Sequence, residues 1–204
     1  MIECITTGSF YTNSYIISNE NKECVIVDPG LDYKNASLYI KSKYKVKAIL
    51  ITHAHIDHID GILYFMDLPI YIHKLDEEGL YDTDISLYPM LGRISPFSKG
   101  SLNIHLVNDG DLMNLIGYEF KVLHTPGHTK GSVCYSYENK LFSGDTLFQG
   151  SIGRTDFPTG SYTKIIDSLQ KIVNNYKGDT EVYPGHGSKT SISFEVKYNP
   201  YIQR

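Results

Sequence analysis

Long hydrophobic runs are missing from the sequence, and cysteine is scarce. No run of about 18 apolar residues occurs in the 204-residue chain, so the sequence predicts no membrane-spanning helix. The first residues, Met1 to Asn19, lack a basic segment ahead of an apolar one, so we expect no secretory signal. The three cysteines, Cys4, Cys24 and Cys134, are far apart and form no Cys-x-x-Cys motif. These features favour reduced thiols and a cytoplasmic location.

An excess of basic charge is missing as well. The formal net charge is -4, the sequence pI is about 6.0, and charged residues make up 21% of the chain. This balance gives no electrostatic reason to expect a nucleic-acid or membrane partner, and it carries no information on oligomeric state. The chain also has no low-complexity tract, block of like charge or internal repeat. We therefore expect one continuous domain over residues 1–204.

The pattern of apolar residues and turn signals predicts strands and helices in two similar halves. In the first half, strands are predicted at Met1–Thr6, Ser14–Ser18, Glu23–Val27, Ala48–Ile51 and Leu68–Ile72, and helices at Tyr33–Lys43 and from about Asp57 to Phe65. In the second half, strands are predicted at Asn103–Val107, Glu119–His124, Ser132–Tyr137, Lys140–Ser143 and Val182-Tyr183, and helices at Tyr162–Tyr176 and Ser191–Tyr198. Strands followed by a helix, twice over, predict an α/β (α+β) fold with two sheets covered by helices on the outside.

An irregular segment from Leu80 to Gly100 separates the two halves. It contains Pro89, Gly92, Pro96 and many polar residues, which is typical of a long loop or lid. Its aromatic residues Tyr81, Tyr88 and Phe97 are candidates either for substrate contact or for packing within the loop.

A cluster of metal-binding residue types follows the predicted buried strand Ala48–Ile51. The segment His53-Ala54-His55-Ile56-Asp57-His58 places three imidazoles and one carboxylate within six residues. Residues two apart in an extended chain point to the same side, so His53 and His55 can share one metal ion. Asp57 and His58 are adjacent and aim differently, which suits a second ion. The alternative is a solvated, histidine-rich turn, but such clusters in a reducing compartment usually hold metal.

Three further segments place a possible ligand directly after a predicted strand. Thr125-Pro126-Gly127-His128-Thr129 and Tyr183-Pro184-Gly185-His186-Gly187 each supply a histidine, and Phe142-Ser143-Gly144-Asp145-Thr146 supplies a carboxylate. Glycine permits the tight turn that lets a short side chain reach a shared point, although each segment alone is a weak signal. Together they predict two ions, one held by His53, His55 and His128 and the other by Asp57, His58 and His186, with Asp145 as the bridge.

The other three histidines lie within or at the end of predicted strands. We expect His73, His105 and His124 to be packed or edge residues rather than ligands. His124 lies four residues before His128, so it is also a candidate to support a ligand.

The ordered ligand set resembles the metallo-β-lactamase superfamily, whose dinuclear hydrolases carry ligands at every one of these positions. This resemblance covers nearly the whole chain and implies a four-layer αββα sandwich with a metal site at one edge. Val27-Asp28-Pro29-Gly30 and Ser143-Gly144-Asp145-Thr146-Leu147-Phe148 are similar to segments of the glyoxalase II group, the hydroxyacylglutathione hydrolases. The run Gly150-Ser151-Ile152-Gly153-Arg154-Thr155-Asp156 and the ending Asn199-Pro200-Tyr201 resemble the short bacterial branch of that group.

The resemblance implies hydrolysis of a small-molecule thioester, S-(2-hydroxyacyl)glutathione or a related thiol ester. In this interpretation a hydroxide that bridges two divalent ions attacks the acyl carbon, and Asp57 both binds the second ion and orients the nucleophile. Zn²⁺ is the expected metal, with Fe²⁺ and Mn²⁺ as alternatives, because imidazole and carboxylate accept all three. Arg154 stands where such enzymes use a basic residue, and it could pair with a substrate carboxylate or with Asp156 in a structural salt bridge.

Other members of the superfamily define the alternatives. Full-length glyoxalase II carries a helical C-terminal domain that forms part of the glutathione site, and we expect that domain to be missing, which leaves the thiol carrier open. A persulfide dioxygenase is the main rival, because it carries a similar motif and a Gly-Arg-Thr-Asp segment. It would use one Fe²⁺ on His53, His128 and Asp145. A β-lactamase is disfavoured by the missing signal peptide and by the Asp57-His58 pair.

Overall fold

The computed structural model describes residues 1–202, and two six-stranded sheets form its centre. The first sheet contains, in spatial order, β1 (Ile2–Thr7), β2 (Thr12–Ser18), β3 (Glu23–Val27), β4 (Lys45–Leu50), β5 (Pro69–His73) and β6 (Asn103–Val107). Strands β1 to β3 are antiparallel, whereas β3 to β6 are parallel. Parallel strands are covered on both faces, which explains the continuous apolar run at the end of β4.

The second sheet is formed by the other half of the chain. It contains β7 (Leu112–Leu115), β8 (Tyr118–His124), β9 (Val133–Tyr137), β10 (Lys140–Gly144), β13 (Glu181–Pro184) and β14 (Thr190–Ser191), and their spatial order is β14-β13-β10-β9-β8-β7. Only β10 and β13 in this sheet run parallel. A small two-stranded ribbon, β11 (Leu147–Phe148) and β12 (Ser151–Ile152), follows β10.

Helices cover the outer faces of both sheets. They are α1 (Lys34–Lys43), α2 (Ile56–Ile59), α3 (Tyr162–Asn175) and α4 (Ile192–Tyr198), with 3-10 helices at Asp60–Tyr64, Glu77–Leu80 and Tyr88–Leu91. The hydroxyl of Ser161 accepts a hydrogen bond from the backbone N–H of Lys164 and thereby caps α3. None of the helices within residues 1–202 is long and apolar enough to cross a membrane.

Alternating side chains along each strand sort the core into layers. On β2, Tyr15 and Ile17 face the second sheet and pack with its Phe120 and Tyr135, whereas Ile16 faces the outer side and packs with Ile40 of α1. A third apolar cluster joins the outer face of the second sheet to α3. The layers are therefore helix, sheet, sheet and helix. This confirms the predicted α/β (α+β) fold and the four-layer αββα sandwich.

The predicted strands and helices are confirmed, with ends that differ by at most three residues, except for one helix. The helix predicted from about Asp57 to Phe65 is a four-residue α-helix followed by the 3-10 helix Asp60–Tyr64. Strand β7 and the two-residue strands β11, β12 and β14 were not predicted, because two to four residues leave little period to detect. The helix α3 ends at Asn175, one residue before its predicted end at Tyr176.

The segment from Leu80 to Gly100 is more ordered than an open lid. The side chain of Tyr88 is completely buried, and its hydroxyl donates to Asp60 at 3.3 Å. Phe97 is also buried and belongs to the core of the first sheet, and Tyr81 packs against the same core. The packing alternative therefore holds for all three aromatic residues, and the segment presents Leu87 and Met90 to the cleft instead.

Candidate metal centre and cleft

The seven predicted ligands converge at one edge of the sandwich. His53 and His55 lie in the connection that leaves β4, and Asp57 and His58 lie on α2 directly after it. The other ligand positions follow strands of the second sheet: His128 follows β8, Asp145 follows β10 and His186 follows β13.

The first set consists of three buried imidazoles. Nδ1 of His55 lies 2.9 Å from Nε2 of His128, and Nε2 of His128 lies 3.2 Å from Nε2 of His53. Only one proton can lie between two such nitrogens, and Nε2 of His55 is buried with no hydrogen-bond partner among residues 1–202. Nitrogen lone pairs gathered in this way suit a metal ion, so the residues fit the predicted cofactor.

The second set adds carboxylates. Nε2 of His186 lies 3.2 Å from Oδ2 of Asp57, and Nε2 of His58 lies 3.5 Å from the same oxygen. Asp145 lies between the sets, with Oδ2 at 3.6 Å from Nε2 of His128 and Oδ1 at 3.4 Å from Nε2 of His58. Both Oδ1 of Asp145 and Nε2 of His58 are buried without a hydrogen-bond partner in the part of the chain that the structure describes. The cluster is therefore suitable for a dinuclear metal site.

The histidines of the cluster differ in the direction in which their pKa values are shifted. Burial lowers the pKa of His55 to about 3, and burial and neighbouring imidazoles hold the pKa of His53 well below its ordinary value. These imidazoles are neutral, which is the form that binds metal. Burial also opposes charge on His58, but Asp57, Asp145 and Asp28 outweigh it and raise its pKa well above the ordinary value.

The two carboxylates of the cluster remain ionised. Burial alone would raise the pKa of Asp57, but His58 and His186 lower it to about 2. In the same way, the positive charge of His58 holds the pKa of Asp145 well below its ordinary value. Ionised carboxylate oxygens are the form that binds a divalent cation.

Hydrogen bonds from outside the cluster orient its side chains. Nδ1 of His58 lies 3.0 Å from Oδ2 of Asp28, which also accepts from Thr52. Nδ1 of His128 donates to the carbonyl of Arg154 at 2.7 Å, Nδ1 of His186 donates to the carbonyl of Phe10 at 3.0 Å, and the hydroxyl of Thr12 donates to Oδ2 of Asp57 at 2.8 Å. Such partners fix the ring orientation of a ligand. Sequence reasoning missed these roles, although Asp28 carried a signal, because it follows a buried strand that runs parallel to β4.

The remaining histidines lie outside the cluster, as expected. His73 and His124 stack on each other with ring centroids 4.0 Å apart, and Nε2 of His124 bonds to the carbonyl of Lys130. The ring of His124 is thus engaged by His73 and by a backbone carbonyl, as expected of a packed residue. His105 lies on the outer strand β6 and stacks on Tyr71.

A cleft of about 430 Å³ opens onto the cluster. Its walls are mainly apolar, formed by Phe10, Ile56, Leu87, Met90, Phe148, Ile152 and Phe157. Arg154 lies on its rim, where the guanidinium donates to both carboxylate oxygens of Asp156, at 2.7 and 2.6 Å, and stacks 3.8 Å from the ring centre of Phe157. The salt bridge to Asp156 predicted as one alternative is thus present, on a side chain that also faces the cleft.

This sandwich, with imidazoles and carboxylates gathered at its edge, is that of a metal-dependent enzyme. The model of the metallo-beta-lactamase superfamily matches residues 7–186, and the chain belongs to this superfamily. GloC of Haemophilus influenzae, a hydroxyacylglutathione hydrolase, is 32% identical over 210 residues that cover 98% of this chain and 97% of the relative. YqgX of Bacillus subtilis, a probable metallo-hydrolase, is 34% identical over 201 residues that cover 96% and 94%.

Two solved structures are similar over nearly their whole length. The BLEG-1 B3 metallo-beta-lactamase has a TM-score of 0.91, with 35% identity and complete coverage of both chains. TTHA1623, crystallised in a di-iron-bound form, has a TM-score of 0.82, with 31% identity over 98% of this chain and all of the other. The comparisons are consistent with a metallo-hydrolase of the glyoxalase II-like branch.

Proposed function

We propose that the protein hydrolyses thioesters, with S-(2-hydroxyacyl)glutathione or a related thiol ester as its substrate class. The observation that carries the proposal is the complete pair of donor sets with Asp145 between them, opening onto an apolar cleft. The similarity to the hydroxyacylglutathione hydrolase GloC over nearly the whole chain supports the thioester as substrate.

The donor sets support a cofactor of two divalent metal ions. His53, His55 and His128 would hold one divalent ion, Asp57, His58 and His186 the other, and Asp145 would contact both. Zn²⁺ is the proposed metal, and iron is the alternative because the similar TTHA1623 has a di-iron-bound form. Bound there, such ions would supply a water of lowered pKa and a positive partner for the acyl oxygen.

The protein's own residues position the reactants. Asp57 is ionised, and the hydroxyl of Thr12 holds its Oδ2 in place, so Asp57 is proposed to orient the attacking water. The apolar walls bind the acyl group and keep bulk water out of the cleft. Water and the thioester give a carboxylate and a thiol. Because a thiolate leaves readily at neutral pH, the reaction needs no dedicated acid.

The first experiment measures metal content and substrate turnover together. We expect two metal ions per chain and release of thiol from S-lactoylglutathione. One iron per chain, with oxygen uptake on glutathione persulfide and no thioesterase activity, would instead indicate the persulfide dioxygenase.

A β-lactam is the second candidate substrate, because the chain is 35% identical to BLEG-1 over its whole length. That similarity weakens the argument against a β-lactamase drawn from the Asp57-His58 pair. Hydrolysis of nitrocefin, measured on the same preparation, decides between the two. We expect kcat/KM for S-lactoylglutathione to exceed that for nitrocefin by at least about a hundredfold, and the opposite order would contradict the thioesterase.

Replacing His186 with alanine separates hydrolase from dioxygenase. His186 belongs to the second donor set, through Asp57 at 3.2 Å and Asp145 at 3.4 Å, and not to the set that a single iron would use. We expect about a hundredfold loss of thioesterase kcat/KM, with one metal ion per chain retained. Unchanged activity with a single ion would contradict the dinuclear mechanism.

Replacing Arg154 with alanine tests whether the cleft rim binds substrate. The guanidinium is exposed and already paired with Asp156, so we expect only a three- to tenfold rise in KM for S-lactoylglutathione, with kcat nearly unchanged. The control is S-lactoyl-N-acetylcysteamine, which has no carboxylate and whose KM should not change. An equal rise for both esters would show that Arg154 acts through packing on Phe157 instead.

A further inference from the structure

A buried carboxylate outside the donor sets joins two of the segments that carry them. Asp76 precedes the 3-10 helix Glu77–Leu80, and its side chain is buried. Its Oδ2 accepts hydrogen bonds from the backbone N–H of Ala54 at 3.1 Å and from the hydroxyl of Thr129 at 2.6 Å. Its Oδ1 accepts from the backbone N–H of Gly131 at 2.8 Å. Asp76 therefore accepts from three donors on two separate segments.

These donors lie next to the first imidazole set. Ala54 is the residue between His53 and His55, and Thr129 directly follows His128. The former segment leaves the first sheet and the latter leaves the second sheet. The carboxylate thus connects the ligand segments of two different sheets.

The missing side chain of Gly131 leaves the space that the carboxylate of Asp76 occupies. A Cβ on that residue would lie 2.5 Å from Oδ1 of Asp76 and 2.6 Å from its backbone nitrogen. Any larger residue would push the carboxylate away from the segment that carries His128. The hydroxyl oxygen of Thr129 also lies 2.8 Å from the hydroxyl oxygen of Ser132. This second hydrogen bond fixes the orientation of the hydroxyl that donates to Asp76.

We propose that Asp76 is a positioning residue that sets the distance between His128 and the pair His53 and His55. The inference rests on the proposed function, because it requires that these imidazoles bind an ion. A metal ion tolerates errors in ligand distance of only about 0.2 Å, so the offset between two segments from different sheets must be fixed. Asp28 orients His58 through its ring, whereas Asp76 acts through the backbone and hydroxyl groups beside the imidazoles.

The chain offers a closely matched control for Asp76. Glu195 is also buried and also accepts three hydrogen bonds, from the hydroxyl of Thr190 at 2.6 Å, the backbone N–H of Gly150 at 2.9 Å and the amide of Asn199 at 2.8 Å. None of these donors adjoins a ligand of the cluster. Replacing either carboxylate by its amide turns one acceptor into a donor that faces a donor, so both variants should lose stability.

The test compares Asp76→Asn and Glu195→Gln with the unaltered full chain. Zn²⁺ affinity is measured by competition with a chelator, and thermal unfolding is measured without metal. We expect both variants to unfold at a lower temperature. Only Asp76→Asn should bind Zn²⁺ more weakly, by about 10- to 100-fold, because partners that hold ligands contribute about this much.

Thr129 provides a second route if Asp76→Asn does not fold. Thr129→Val removes the hydroxyl donor with little change of shape, and Thr129→Ser retains it. Zn²⁺ binding should weaken in the valine variant and be restored in the serine variant.

The outcomes separate this inference from the proposed function. Zn²⁺ affinity unchanged in Asp76→Asn, or reduced equally in Glu195→Gln, overturns the positioning role even if the unaltered chain hydrolyses thioesters. Failure of the unaltered chain to bind any divalent ion overturns the proposed function, and the inference with it.

Discussion

Replacing His55 with alanine is expected to give a folded chain that has lost the metal ion of the first donor set and at least about a thousandfold in thioesterase kcat/KM. His55 supplies one of three imidazoles whose nitrogens lie 2.9 to 3.2 Å apart, and two imidazoles alone no longer form that set. The ring lines the cleft and is not part of the apolar core of either sheet. His55 precedes α2, and within the described residues its side chain makes no cap bond and its Nε2 has no hydrogen-bond partner. The metal-free variant should therefore unfold within a few degrees of the unaltered chain.

The measurement combines metal analysis, circular dichroism and steady-state kinetics on the purified variant. His105→Ala is the matched control, because His105 lies on the edge strand β6 and stacks on Tyr71, outside the cluster. That variant should keep both metal content and activity. A His55→Ala protein that is fully active without metal would show that the imidazole cluster is not the reactive site.

Much of the fold could be predicted because its strands are short, apolar and separated by clear turns. The register of the core follows from alternation, as Tyr15, Ile16 and Ile17 show by facing alternate layers. Strand β7 escaped prediction because Leu112–Leu115 carries only four residues, and its exposed positions give no apolar period. The type of a short helix is equally hard to predict, because one turn of α-helix and one turn of 3-10 helix differ only in whether the hydrogen bond spans four residues or three.

The candidate ligands could be predicted because each one follows a strand in a recognisable short motif. The groups that hold them could not, because they are distant in sequence. Asp28 reaches His58 across 30 positions, and Asp76 reaches Thr129 across 53. Two further partners are the carbonyls of Phe10 and Arg154, and a backbone carbonyl leaves no signature in residue type.

The residues that line the cleft could not be predicted from the sequence, for a different reason. Large aromatic side chains in the irregular segment were candidates for substrate contact. Removing an aromatic side chain from water stabilises the folded chain, and Tyr88 and Phe97 accordingly lie in the core. Leu87 faces the cleft from a left-handed backbone conformation, with φ of 66°, which its residue type does not favour. Prediction from sequence relies on the average conformational preference of each residue type. It therefore misses a residue such as Leu87, which the surrounding structure holds in a disfavoured conformation.

Replacing Gly185 with alanine is expected to cost at least about a thousandfold in activity, although only one methyl group is added. A Cβ at this position would overlap Oδ1 of Asp145 and lie 2.8 Å from Cε1 of His58. The backbone cannot retreat, because the N–H of Gly185 donates to the carbonyl of Gly144 at 2.8 Å and its own carbonyl accepts from Asn13 at 2.7 Å. Displacing a reactive group by about 1 Å can cost about a hundredfold, and here two groups from the donor sets move.

Gly178→Ala is the control for this variant, because the same change there should be harmless. Its Cβ would meet Ser193 at 3.4 Å, an ordinary contact, far from the cluster. Removing a glycine where the backbone permits alanine stabilises a fold by about 0.4–1 kcal/mol, so the control should unfold at the same or a slightly higher temperature. Zn²⁺ stoichiometry and thioesterase kinetics are measured on both variants. If Gly185→Ala keeps both at the level of the unaltered chain, Asp145 and His58 do not need the positions that this glycine leaves open, and the dinuclear arrangement is wrong.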